Sequence, residues 1–190
     1  MSVKEKKRGR PKGSGNQLST EKIMQAAKSL MKLEGKIPSI RKLATELDVD
    51  AMAIYYYFDN KTKLLEAITT SLIDDIYQPT SNQEWQTELF KLSKSYLTLL
   101  HTYPGLLETL LGMSCEGPAE VFSQRFYTVI KPLNLSEESA RSGLHLLVDY
   151  LHGFALAMSC NNSDCEITEQ MMEGPLKLYC RGLESFTSDS

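Results

Sequence analysis

The sequence predicts an all-α fold of about nine helices, and three observations carry that expectation. Apolar residues recur at helical spacing along nearly the whole chain beyond Leu18. No period-two run is bounded by hairpin signals. Capping residues, glycines and prolines punctuate the periodic runs at helix-like lengths. The chain of 190 residues, 42% apolar and 24% charged, is long enough to bury a proper core. The same pattern divides it into a disordered basic arm over 1–17, a three-helix head over 18–62 and a helical body over 63–190.

Taken in order, Ser19 caps the first helix, Glu21 sits in its first turn, and Leu18 and Ile23 have staple spacing. Ile23, Ala27, Leu30 and Met31 form its apolar stripe, and Gly35 stops it. Ser39 caps a short helix running to about Leu47, the turn is Asp48-Val49-Asp50, and a second short helix covers roughly 51–58. Asp59-Asn60 breaks the chain and caps a helix from Lys61 to about Tyr77. A long helix from Asn82 to about Thr102 follows, then short ones opened by Pro104 and Pro118. Ser136-Glu137-Glu138 starts a long helix to about Cys160, and a last helical region reaches Phe186 with a kink or break at Gly174-Pro175.

No stretch approaches 18 consecutive apolar residues, and no apolar segment follows the basic N-terminus, so neither a membrane span nor a secretory signal is expected. Four cysteines read as reduced thiols, and the expected compartment is the cytoplasm. Charge is divided unevenly. Residues 1–61 carry 13 Lys and Arg against 7 Asp and Glu, whereas 62–190 carry 8 against 17. A positive N-terminal third on a negative body fits a nucleic-acid-binding module joined to a non-binding one. Most of that excess lies in the arm, so the assignment needs local evidence as well.

The segment SIRKLATELDVDAMAIYYYFDNK provides it. Two short helices about a tight turn form a helix-turn-helix, whose second helix fits the major groove. Ile40, Leu43, Ala44, Leu47, Val49, Ile54 and Phe58 make its internal core, which leaves Ala53, Tyr56 and Tyr57 pointing outward. Exposed tyrosines there suit phosphates, base edges and thymine methyls.

From a glycine before the second helix, through Arg-Lys-Leu-Ala and the aliphatic-Tyr-aromatic-aromatic-Phe run, to Asn-Lys at helix four, residues 19–70 resemble the N-terminal pattern of the TetR family of bacterial transcriptional regulators. The resemblance implies double-stranded DNA as a partner. It gives Arg41 a phosphate or base-edge role, puts Ala53 and Tyr57 over bases and Tyr55 and Tyr56 against phosphate or groove wall, and sets Lys61 on a phosphate. One departure is Asp48, at a turn position often held by glycine. In the arm, the Arg8-Gly9-Arg10-Pro11 core resembles an AT-hook, which implies that Arg8 and Arg10 enter an A·T-rich minor groove.

For the body, the long helix carries Leu144, Leu147, Val148, Leu151, Ala155 and Met158 on one side, with Gly143 and Gly153 permitting close approach. The last region adds Met172, Leu176, Tyr179, Leu183 and Phe186. These predict a homodimer interface, and the resemblance implies that the last two long helices of each subunit form a four-helix bundle. It also implies a small-molecule pocket in the body; Phe90, Tyr96, Met113, Phe122, Phe126, His145 and Tyr150 are candidate lining residues for an apolar or aromatic effector.

No metal site, cofactor or catalytic motif is expected. Cys160 and Cys165 flank a polar loop as a candidate redox pair. The leading expectation is a ligand-responsive homodimeric regulator, a repressor released from a palindromic operator. Two alternatives stand beside it: an architectural DNA-binding protein without ligand, and a helical small-molecule-binding protein or enzyme with a vestigial head.

Overall fold

A computed structural model describes residues 18–80, 83–113, 117–160 and 167–187. Nine α-helices and no strand are found among them: α1 (Thr20–Glu34), α2 (Ile40–Glu46), α3 (Ala51–Tyr55), α4 (Lys61–Asp74), α5 (Trp85–Thr102), α6 (Leu106–Gly112), α7 (Gly117–Ile130), α8 (Glu137–Cys160) and α9 (Glu173–Glu184). Short 3-10 turns at Lys131–Leu133 and Glu169–Met172 precede α8 and α9. The all-α expectation holds. No helix among the described residues is long and apolar enough to cross a membrane.

The first four helices each begin on a side-chain cap. Ser19 Oγ accepts from the Lys22 amide at 3.3 Å, Ser39 Oγ from Lys42 at 3.2 Å, Asp50 Oδ1 from Met52 at 2.8 Å and Asn60 Oδ1 from Lys63 at 2.9 Å. Each such cap is worth about 1 kcal/mol, which matters most for α2 and α3, too short to persist alone. Asp50 therefore has a structural task beyond its charge. Ile23, Ala27, Leu30 and Met31 of α1 close over Leu43, Ala44, Ile54 and Phe58 to make the head's core.

Asp48, in the turn, has φ 52°. That left-handed geometry explains why glycine suits the position; aspartate tolerates it at some cost. Asp48→Gly is expected to add about 0.5–1 kcal/mol and raise the thermal midpoint by a few degrees. Calorimetry checks this, and a lowered midpoint would mean that the aspartate makes a compensating contact.

In the body, α4 packs most extensively on α7, and α5 lies against both α7 and α8. Two buried charged groups fix the far end of α4 and the segment that follows it. Arg125 of α7 is 8% exposed and donates to the carbonyls of Ile73 (3.2 Å), Asp74 (3.0 Å) and Ile76 (2.8 Å), and to Asp74 Oδ1 at 3.0 Å. It thereby satisfies carbonyls that a helix end leaves without partners. Glu88 of α5 accepts from the Thr80 amide at 2.6 Å and the Tyr77 hydroxyl at 2.9 Å. Burial works against its ionisation, but these bonds and neighbouring Lys91 outweigh it and hold the carboxyl below its ordinary value.

Helix ends differ from expectation at several places: α3 ends at Tyr55 rather than near 58, and α5 begins at Trp85 rather than at Asn82. α4 ends at Asp74, where the Arg125 clamp sits, rather than near Tyr77. Gly174-Pro175 lies in the first turn of α9, where a proline's missing amide costs nothing, so the break falls before the helix and not within it.

Candidate DNA-reading face and interior cavity

On α3, Ile54 is fully buried and sets the orientation of its neighbours. Tyr56 is 87% exposed and Met52 71%, one helical turn apart on the outward face. Met52 was missed by sequence reading, although its i,i+4 relation to Tyr56 signals the shared face. Tyr55 is partly exposed, and Ala53 half-buried.

Tyr57 departs from expectation. Three residues after Ile54 it shares the inward side, packs against the core, and its hydroxyl donates to the Leu18 carbonyl at 2.5 Å. Its ring also meets Tyr56 edge-on at 5.4 Å. Tyr57 thus ties α3 to the point where residues 1–17 join the head. Arg41 and Lys61 are exposed at the starts of α2 and α4, with no carboxylate partner among the described residues. Arg8 and Arg10 lie outside the described residues.

A cavity of about 490 Å³ opens between α4, α5, α6, α7 and α8. Of the predicted lining residues it brings together Tyr96, Met113, Phe122 and His145. Phe126 is instead fully buried core, Phe90 faces a separate groove between α5 and α9, and Tyr150 does not line the cavity, its hydroxyl being buried with no hydrogen-bond partner among the described residues. The aromatics are spread around α5, α7 and α8, so only some of them meet at the cavity. Ile73, Leu110, Leu144 and Val148 add apolar wall.

The polar strip comes from α8, where His145, Asp149 and His152 follow at helical intervals. His152 Nε2 is 2.8 Å from the Tyr96 hydroxyl. Burial lowers the pKa of His152, opposed by the Asp149 carboxylate, and burial raises that of Tyr96, so the two meet as neutral groups.

Two routes lead from this cavity to the head. Ile73 in its wall belongs to α4, and Met113 Sδ receives a 3.5 Å contact from Thr69 Oγ1 of the same helix. α4 in turn holds α1 through Lys28, which meets Asp75 at 2.8 Å and the Ser71 carbonyl at 3.3 Å. The second route is α6, which lines the cavity with Leu110 and Leu111 and begins against the head. There Gly105, at φ 82°, leaves so little room that a Cβ would lie 3.1 Å from the Gly35 carbonyl oxygen.

The predicted dimer residues mostly turn inward. Leu144, Leu147, Leu151, Ala155, Met172, Leu176 and Leu183 are buried within the subunit; Val148 lines the cavity, Met158 is half-buried, and Tyr179 donates to the Gly143 carbonyl at 2.7 Å. Gly143 serves the packing of α8 on α9, since a Cβ there would meet Leu183 at 2.9 Å. The outer face keeps Gly153 and Phe186 of the expected set and otherwise consists of Leu146 (62% exposed) and Leu156 on α8, and Pro175, Leu178 (70%) and Gly182 along α9. Gly153 and Gly182 have open space where a Cβ would be. Sequence periodicity found an apolar stripe but chose the one that fills the core.

Cys160 is exposed, and Cys165 lies outside the described residues. Among the described residues no group of three His, Cys, Asp or Glu is placed to hold a metal ion.

Residues 23–68 match the family model for bacterial regulatory proteins of the tetR family, and residues 78–180 match the tetracyclin repressor-like C-terminal domain. The HTH-type transcriptional repressor DrrR1 of Streptomyces coeruleorubidus is 25% identical over 146 residues, 73% of this chain and 53% of the relative. The chain therefore spans about half the length of that protein. Among solved structures, apo ActR from Streptomyces coelicolor superposes with a TM-score of 0.77 at 17% identity, covering 90% of this chain and 96% of ActR. BioQ from Mycobacterium smegmatis gives 0.73 at 20% identity, covering 90% and 99%. ActR has also been solved with (S)-DNPA and with actinorhodin, and BioQ with its double-stranded DNA operator.

Proposed function

We infer the function from one premise: the chain belongs to the TetR family of bacterial regulatory proteins, and is a DNA-binding transcriptional regulator. On that premise it is a homodimeric repressor acting in the cytoplasm, released from a palindromic operator by an apolar or aromatic small molecule, and it regulates rather than catalyses. Residues 18–62 act as the DNA-binding domain and 63–190 as the regulatory and dimerisation domain. The observation that carries the reading is the cavity wall itself, because Ile73 and the Met113–Thr69 contact put α4, which holds the head, at the ligand's edge. A ligand that favours one setting of α4 over another shifts the spacing of two heads by its differential affinity. Relatives solved with DNA and with small molecules are consistent with this.

Met52, Tyr56 and the partly exposed Tyr55 are the groove-facing set, with Arg41 and Lys61 on phosphates and Ala53 offering a methyl at closer range. Tyr57 positions the basic arm, whose Arg8 and Arg10 follow the minor groove beside the helix-read major groove.

Selection from a randomised duplex pool tests the function, and a two-fold symmetric site is expected. Tyr56→Ala is expected to lose about 1–3 kcal/mol on that site. Tyr57→Phe should weaken binding of the full chain but not of a chain lacking residues 1–16. Equal loss in both backgrounds would return Tyr57 to direct DNA contact, and an unstructured pool would remove the operator-binding function altogether.

A further inference from the structure

We propose that the cavity selects a flat aromatic cation with its positive charge on ring-attached nitrogen, and discriminates against carboxylates, phosphates and sulfonates of the same shape. The inference rests on reading the cavity as the effector site, and adds the charge of its occupant.

Formal charge on the wall is one-sided. Asp149 is its carboxylate, and neither lysine nor arginine lines it among the described residues. Asp149 is exposed at the rim, and no cation pairs with it among the described residues. Arg125 of α7, one turn beyond Phe122, is buried, but its guanidinium is taken up by three carbonyls and Asp74 at the end of α4, which leaves His145 and His152 as the only basic side chains on the wall among the described residues. His152 is no counter-cation, since its Nε2 is engaged by the Tyr96 hydroxyl and burial favours the neutral ring. Helix ends do not reverse the balance. The carboxyl end of α6 and the amino end of α7 both reach the mouth, so their partial charges oppose one another.

Shape supplies the aromatic half of the proposal. Tyr96 and Phe122, 5% and 4% exposed, form a tilted aromatic corner of the wall with ring centroids 4.8 Å apart and planes at 48°, a surface on which an aromatic ring or a delocalised cation packs favourably. Leu110, Leu144 and Val148 close the other sides. The volume lies within the range of drug-sized ligands. A flat cation with its charged nitrogen toward Asp149 is matched at both ends. An anion of the same outline loses hydration and gains no partner.

Three fluorescent probes test this in the full-length protein: cationic rhodamine 123, anionic fluorescein on the same xanthene skeleton, and neutral N-phenyl-1-naphthylamine. Rhodamine 123 is expected to bind about tenfold more tightly than fluorescein at low salt, with the ratio shrinking as salt is raised. Asp149→Asn should bring the two xanthenes to within about twofold while leaving the neutral probe's affinity in place. Ser123→Trp, which projects an indole into the cavity, should remove all three. Equal xanthene affinities in the wild type, or a preference that survives Asp149→Asn, overturn the charge selectivity while the neutral probe still reports an effector cavity. Loss of neutral-probe binding in the wild type, or its persistence in Ser123→Trp, overturns the cavity reading and this proposal with it.

Discussion

Leu178→Asp is expected to convert the protein to a folded monomer and to lower operator affinity by at least about a hundredfold. Leu178 stands 70% exposed at the middle of a row in which Pro175, Leu178, Gly182 and Phe186 follow one another at helical spacing, beside Leu146, Gly153 and Leu156 of α8. An exposed row of this kind, with two glycines open to close approach, is the mark of an interface rather than of a solvated surface. Burying Leu178 in both subunits contributes about 1.5–3 kcal/mol each, and a carboxylate at the same place adds a desolvation cost of similar size. A monomer then meets one half-site, losing the contacts that the second head doubles. Sedimentation gives the mass, circular dichroism the helicity, and a binding assay the affinity. Leu176→Asp provides the contrast: only two residues away but 3% exposed, it should unfold the body. If Leu178→Asp remains dimeric at full affinity, the outer face of α8 and α9 is not the subunit contact.

That pair of neighbours shows where the sequence was legible. Caps, breakers and helical period located the helices because these signals are local; Ser19, Ser39 and Asn60 cap the helices they were expected to cap. Facing is not local. α8 is apolar around much of its circumference, with Leu147 and Leu151 in the core and Leu146 and Leu156 outside, so period alone does not say which stripe meets a partner. The cavity has the same difficulty. Phe122 lines it while Phe126, one turn on, is core, and the difference lies in what α4 and α8 leave uncovered. Tyr57 was within reach of a stricter helical count, since it stands three residues after a buried isoleucine. The hydrogen bond from its hydroxyl to Leu18, 39 residues away, was not. Arg125 lay further out of reach: nothing near it in sequence announces that its partners are carbonyls some 50 residues earlier.

Arg125→Met is expected to cost about 3–5 kcal/mol of folding stability, because it leaves the buried carbonyl end of α4 without donors. The distribution of that cost can be checked against the geometry. Asp74 is the charged partner, but its side chain is 70% exposed, so Asp74→Asn should cost about 1 kcal/mol or less. Most of the energy therefore belongs to the carbonyls of Ile73, Asp74 and Ile76. Arg125→Lys should recover less than half of it, since one ammonium on a flexible stem does not reproduce a planar fork that reaches all three. Urea unfolding of the three variants gives the ranking. Binding supplies a second readout, because Arg125 ties α7, which carries Phe122 and Ser123 of the cavity wall, to the helix that holds the head. In Arg125→Lys at a temperature where it is folded, the neutral naphthylamine should still bind, while its effect on operator affinity shrinks. Should Arg125→Met and Asp74→Asn destabilise equally, the clamp is a simple ion pair. Should coupling between probe and DNA survive in Arg125→Lys unchanged, α6 and its close contact with Gly35 carry the signal instead.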